Sequence, residues 1–586
     1  MKNYILNTCS LVIAAVVMVS SGAQAQVDTI GVEQNEELDL NVVITGDAQL
    51  FLNDANKVIN VPELKESAVE LPPMTYYLIP RKPEQKIELK PVPAAKVNMQ
   101  QKLPNLFRGY VKGAVGTNLT GLGEIRFMDG YSRNGTFDSF LKFRGSDGRV
   151  ALVDSIPDTF SNLSLGVSGK RFLKKQSVGI NLGYDRDMMH YFGYDPELYP
   201  ENFGVDEQRI YRTFNAGVNI KSYFRDSTKL NYVGRFDFLQ FSDNADGSEN
   251  NFVFDADFNQ QLERKNLVFA MGVNIDYNQL KNRSPRTLAI QKFNNTVIAL
   301  NPRLVAQQNG FTVRVGARLV GDFMGALEPK IYPDLEANYS LFEGVFIPYI
   351  GLGGDLHKNR YRTLADENPF IQSFLIEDIA TSDVLMNTNE KINVFGGIRG
   401  NISSNMSFNT KISRASFDNF VYFVNDTIVS QGNRFRTEYG ELVRTTVTGE
   451  LTYNAGEKIK FFGRGDFYIY DEKMEEEPWN QPDNKITVSA SYNIDNKIVA
   501  NLDVYAIGKR RAKSLGFIEG GILDDDGYFT YNLKPFLDAT LKAEYRYTKR
   551  LSVYAQINNI LAGRYERFNN FPTQRLNFLA GATYAF

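Results

Sequence analysis

Cysteine is nearly absent from this chain of 586 residues: Cys9 is the only one. The rest of the chain therefore has no disulfide, no thiolate metal site and no cysteine nucleophile. Histidine is almost as scarce, with His190 and His357 alone, and there is one tryptophan. Two histidines leave little material for imidazole catalysis or for a metal centre. After residue 25 no run approaches the roughly 18 consecutive apolar residues of a membrane-crossing helix. No charge of one sign dominates either. Lys+Arg 65 against Asp+Glu 68 gives a net of -3, which argues against the strongly basic face of a nucleic-acid binder.

What the chain has in quantity is aromatic residues, 42 Phe and 31 Tyr, and apolar residues at alternate positions. In Leu537–Tyr547 one face carries Leu537, Ala539, Leu541, Ala543, Tyr545 and Tyr547. The other carries Asp538, Thr540, Lys542, Glu544 and Arg546. Val443–Tyr453 repeats the pattern, with Arg444 and Glu450 among the polar set. Ile459–Ile469 does so again, with Arg464 and Asp466. Period-2 alternation means that one face meets something apolar and the other something wet. The mean hydropathy of -0.30 would suggest a soluble protein. A transmembrane barrel hides its apolar residues, however, because only every second one faces lipid. The last strand, Gln574–Phe586, alternates in the same way and stops on an aromatic.

The N-terminus reads as a secretory leader. Met1-Lys2 is followed by the apolar run Leu11–Val19 and then by Ala23-Gln24-Ala25, which places cleavage after Ala25. The run is too short to anchor in a bilayer, which needs about 20 residues. Residues 26–105 differ from all that follows and hold eight of the 21 prolines, which reads as an extended segment. From about residue 106 onward we expect an all-β, antiparallel, up-and-down transmembrane barrel of about 22 strands.

Loop lengths support this reading. Tight turns fall near Phe172–Lys174, Arg225–Thr228, Gln308–Gly310, Ser403-Ser404, Asn454–Glu457, Asp495-Asn496 and Thr548-Lys549. Long polar loops fall between them, near 187–208, 279–289, 357–390, 416–440, 471–482, 509–532 and 561–573. A short connection near Asn118 breaks the rule. Membrane barrels have short periplasmic turns and long outer loops. An even strand count leaves residues 26–105 in the periplasm.

The segment Leu551–Tyr565, with Asn559-Ile560-Leu561 and Tyr565, resembles the penultimate strand of a TonB-dependent receptor barrel. The terminal strand resembles the barrel-assembly signal of outer-membrane proteins, with Phe578, Tyr584 and Phe586 in the signal positions. Near the mature N-terminus, Val42, Val43, Ile44 and Thr45 resemble the segment that such receptors offer to TonB. Strand addition to a sheet edge requires an extended, β-branched stretch of this kind. An ordinary β-rich stretch at a domain start is the alternative. The resemblance implies an outer-membrane receptor or transporter, with lipid, the barrel-assembly machinery and TonB as partners. A surface lipoprotein or another envelope protein is a further partner of this class, and no cofactor is implied. The family also has a folded plug, for which 26–105 is short. Either 47–105 forms a reduced plug, or inward side chains and loops close the lumen, or a partner does.

The charges Arg444, Arg464, Asp466, Lys542, Glu544 and Arg546 are assigned to the lumen, where they form salt-bridge ladders or line a solute path. Mixed signs favour ladders. Loop histidines are ordinarily solvated, although Asp185 and Asp187 lie within reach of His190 in sequence. The acidic stretches Asp243–Gly247 and Asp524–Gly527 lack the spacing of a calcium loop. No nucleophile stands at a meaningful spacing, so we expect neither an enzyme nor a metal site. Solute uptake or binding through the outer loops is the leading reading. A non-transporting scaffold barrel and a passive porin are the alternatives.

Overall fold

The computed structural model describes residues 107–586 apart from 130–131, 133, 149, 152–155, 195–206, 225, 227, 263–265, 284–289, 325–326, 373–384, 427–429, 431, 457, 472–476 and 516–527. The leader, the proline-rich segment with Val42–Thr45, and Asp524–Gly527 lie outside the described residues.

The alternating stretches pair in chain order into a closed antiparallel barrel of 22 strands. The first strand, Gly109–Gly116, meets the last, Asn577–Ala585, in register from Tyr110–Ala585 to Gly116–Leu579. Pairing of the first strand with the last leaves no sheet edge there for a lipid environment to punish. The alternation sorts the side chains. Leu537, Leu541, Tyr545 and Tyr547 are exposed outward, whereas Thr540 and Lys542 of the same strand are buried. Aromatic pairs mark the rim at the tight-turn end, with Phe311 stacked on Tyr339 at 4.0 Å.

Both ends of the described chain lie at the tight-turn end, where the N–H groups of Arg108 and Gly109 donate to the Phe586 carbonyl. The Phe586 ring lies so close to Gly109 that a Cβ there would come within 2.8 Å of it. At the opposite end the connections are longer, with exceptions at Thr117–Thr120, Asp243–Gly247 and 324–326. The first of these turns places Asn118 and Leu119 at φ 53° and 49°.

Several expected loops are shorter than the sequence suggested. The expected loop 416–440 is mostly strand, because Met406–Asp426 and Phe435–Ala455 each run 21 residues. A register shift between Phe417 and Phe420 interrupts their pairing, with Asn419 at φ 53°. A bulge flips the alternation, so a period-2 reading breaks there although the strand continues. The strand Leu267–Arg283 likewise runs into the loop expected at 279–289. The expected loops 509–532 and 561–573 contain small hairpins of their own. These are Arg510–Leu515 with Tyr528–Leu533, and Glu566–Phe568 with Phe571–Pro572.

Candidate functional site

At the long-loop end of the barrel the connections pack together into a layer of their own. Its core holds Phe192, Tyr194, Phe241, Tyr361, Ile371, Phe435, Phe568 and Phe571, contributed by well-separated parts of the chain. Phe370 stacks on Phe571 at 3.8 Å, and Phe192 meets Phe571 edge-on at 5.1 Å. The connection between Ile347–His357 and Thr388–Ser403 spans this layer. Ile371 bridges to Phe435, the Tyr191 hydroxyl donates to the Ile371 carbonyl at 3.0 Å, and the Tyr211 hydroxyl donates to the Pro369 carbonyl at 3.0 Å.

A row of carboxylates on neighbouring strands holds the start of this lid. Lys358 donates to Asp276 Oδ1 at 2.7 Å, and Arg360 also bonds Asp276. The short helix α1, Tyr361–Glu367, begins directly on Glu249. Tyr361 and Arg362 donate their backbone N–H groups to its two carboxylate oxygens, each at 2.9 Å. Otherwise those amides would lack partners at the helix start. The Tyr361 hydroxyl donates to Asp243 at 2.6 Å, and Arg209 also donates to Asp243 at 3.1 Å. Asp276, Glu249 and Asp243 are all buried. Burial pulls Lys358 down to about 8, against the opposing attraction of Asp276. Burying charges is costly unless they are paired and hydrogen-bonded; Asp276 and Asp243 meet that condition, and Glu249 is held by hydrogen bonds from Asn278 and two backbone amides.

Residues singled out in the sequence take part in these and nearby contacts. Both carboxylate oxygens of Asp243 are occupied, Oδ1 by the N–H groups of Ala245 and Gly247 and Oδ2 by Arg209 and Tyr361. That loop is thus a tether for the lid. His190 Nδ1 lies 3.0 Å from Thr159 Oγ1, and Asp187 accepts from Asn162 at 2.7 Å. His357 Nε2 lies 3.0 Å from Glu390.

On the inner wall, Arg464 lies between Asp466 at 2.8 Å and Glu450 at 3.0 Å, and Thr448 also donates to Asp466. Arg444 lies over the rings of Phe417 and Tyr468. Lys542 and Lys112 each lie 5.2 Å from the centre of the Tyr554 ring. Glu544 and Arg546 share the Lys542 face and are half-buried. Phe578, Tyr584 and Phe586 are exposed on the outward face. The sequence reading missed the tether residues Glu249, Asp276, Lys358, Arg360 and Tyr361. The run Lys358-Asn-Arg-Tyr-Arg362 was a visible signal, but its partners lie far away in the chain.

No protein-family model matches the sequence, and no curated protein does. The barrel is nonetheless similar to several solved structures. The FrpB iron transporter from Neisseria meningitidis superimposes with a TM-score of 0.63 at 10% identity, covering 82% of each chain. The siderophore receptor PirA from Acinetobacter baumannii gives 0.61 at 11% identity, covering 83% of this chain and 81% of that one. The ferric-catecholate import receptor Fiu from E. coli K12 gives 0.58 at 11% identity, covering 82% of each. At such identity the likeness is one of fold. The fold is a closed antiparallel barrel of 22 strands, as expected, and it is shared with these receptors and transporters.

Proposed function

We propose that the protein is a gated outer-membrane receptor for solute uptake, with the latched lid as its outer gate. The observation that carries this reading is the row Asp276, Glu249 and Asp243, which pins one long connection across the mouth. A passive porin has no use for a mouth closed by a packed aromatic layer. The similar structures named as receptors and importers support the same role, and iron chelates are the first solutes to test.

In this reading residues 26–105 lie in the periplasm, Val42–Thr45 offers a strand to TonB, and 47–105 acts as a reduced plug. Pro disrupts strand addition because it removes a backbone donor. Val43→Pro therefore abolishes energised uptake while surface insertion persists. Uptake at the native rate by the Val43→Pro protein would remove TonB coupling from the proposal. The charges Arg464, Asp466 and Lys542 act in this reading as wall ladders.

A further inference from the structure

One seam of the barrel is left largely unpaired. The strand Leu327–Tyr339 pairs along its whole length with Phe311–Phe323 on one side. On the other side it meets Ile347–His357 only through four pairs, from Leu335–Leu352 to Asn338–Tyr349. Among the described residues, Leu327–Asp334 has no partner strand on that side. Eight residues at about 3.3 Å each, tilted as in such barrels, span on the order of 20 Å, most of the apolar band. Open sheet edges are otherwise excluded from hydrocarbon, so this one calls for an explanation.

The sequence builds the opening. Pro329 and Pro333 lie on the unpaired stretch. Backbone donors alternate sides along a strand, so residues 329, 331 and 333 share one edge. The ladder to Phe311–Phe323 is continuous, so the missing donors belong to the open side. The outward positions of this stretch are Leu327, Pro329, Ile331 and Pro333, all apolar, with Ile331 73% exposed.

Tyr332 closes the seam from the lumenal side. A Cβ on Gly354 would come within 2.8 Å of its ring, and its hydroxyl donates to Asn389 at 2.6 Å. Arg318 and Asp355 form a second clasp across the gap at 2.6 Å. Behind Tyr332 lies an apolar patch on the inner wall, formed by Val297, Ala299, Val320 and Leu356. Outside, Ile350, which pairs with Ala337 just short of the unpaired stretch, begins a groove of about 670 Å³ that continues along Ile392, Val394 and Ile412. Arg414 is the one charged side chain lining that groove, 58% exposed and held to Asp471 at 2.7 Å. Apolar side chains thus lie on both faces of the wall near the opening, and the outer groove carries a guanidinium with donors to spare.

We propose that this seam is a lateral passage for a single-chain anionic amphiphile of the fatty-acid type. Its acyl chain passes Tyr332, and its carboxylate docks on Arg414. An added protein strand fits less well, because two of the four donor positions it would use, Leu327, Pro329, Ile331 and Pro333, are proline nitrogens.

The test is photolabelling of the mature protein in lipid nanodiscs with a diazirine-bearing palmitic acid, with adducts mapped by mass spectrometry. We expect adducts on outward Ile350 and Ile412 and also on lumenal Val320 and Leu356. Tyr332→Ala raises the lumenal labelling several-fold, whereas Tyr332→Phe, which keeps the ring, leaves it near native. Pro329→Val/Pro333→Val restores both donors and abolishes the lumenal adducts while the groove stays labelled. The single proline variants serve if the double one does not insert. Arg414→Gln lowers groove labelling to that of the matching fatty alcohol. Adducts confined to outward residues even in Tyr332→Ala overturn the passage. So do lumenal adducts that persist in the proline variants, since these would mean entry through the mouth. Equal labelling by acid and alcohol in the native protein overturns the anionic head group.

Discussion

Asp276 carries more of the lid than any cation that meets it. It takes Lys358 and Arg360 together, and Asn251 donates to it as well. Removing one member of a buried pair leaves the other charge uncompensated, at a cost of about 3–5 kcal/mol. Asp276→Asn strands two cations and is expected near about 3 kcal/mol. Lys358→Met leaves Asp276 with Arg360 and Asn251, so it costs about 1 kcal/mol or less. Thermal melts, together with the protease resistance of the lid, would rank the two. The titration of Lys358 runs against the usual expectation for a salt bridge. Its value is lowered by burial to about 8, so the fold disfavours its charge relative to the unfolded chain. This group's contribution to stability is least below pH 8 and improves as pH rises from 8 toward the ordinary lysine value. The lid is therefore expected to stay closed at pH 9, read as unchanged protease resistance between pH 7 and 9.

At the scale of elements, the lid is several connections that share one aromatic core. Phe571 sits in a hairpin between the last two barrel strands, yet its ring packs on Phe370, Phe192 and Phe435 from other loops. Phe571→Ala removes a buried ring, typically about 3–5 kcal/mol when the surroundings do not collapse into the space. The barrel strands do not depend on that ring. The expected outcome is a mouth that opens intermittently, seen as flickering conductance, with an unchanged far-UV spectrum. A loss of barrel signal would show instead that loops and strands fold as one unit. The bulge at Asn419 belongs to the same scale. It lets two strands rise past the lipid and deliver Val421 and Phe423 into the lid core.

For the whole molecule, the function proposed above calls for two closures, the lid and a plug formed by 47–105. A chain starting at Leu106 is then expected to conduct weakly in a planar bilayer while the lid remains latched. The same truncation carrying Asp276→Asn opens large steady channels. Large channels in the truncated protein with its lid intact would show that the lid does not seal. Low conductance in the combined variant would show that inward side chains of the wall fill the lumen by themselves. Charges of both signs line the wall, as where Arg464 lies between Asp466 and Glu450, so any open state is expected to discriminate weakly between cations and anions.

Much of this architecture is local and therefore legible in the chain. Alternation in Leu537–Tyr547 assigned each side chain to lipid or lumen, because strand geometry repeats every two residues whatever lies nearby. Strand number and most turn positions followed from the same period. The pattern failed at Asn419, where one extra residue inverts it, and at the lid, whose residues carry no period at all. Only the folded barrel brings Lys358 to Asp276, Tyr361 to Asp243 and Phe370 to Phe571. Those contacts depend on strands being neighbours around a closed ring. The seam is divided between the two levels. Pro329 and Pro333 were written in the sequence as missing donors, but which edge they opened, and that Tyr332 covers it, was decided by the register of three strands.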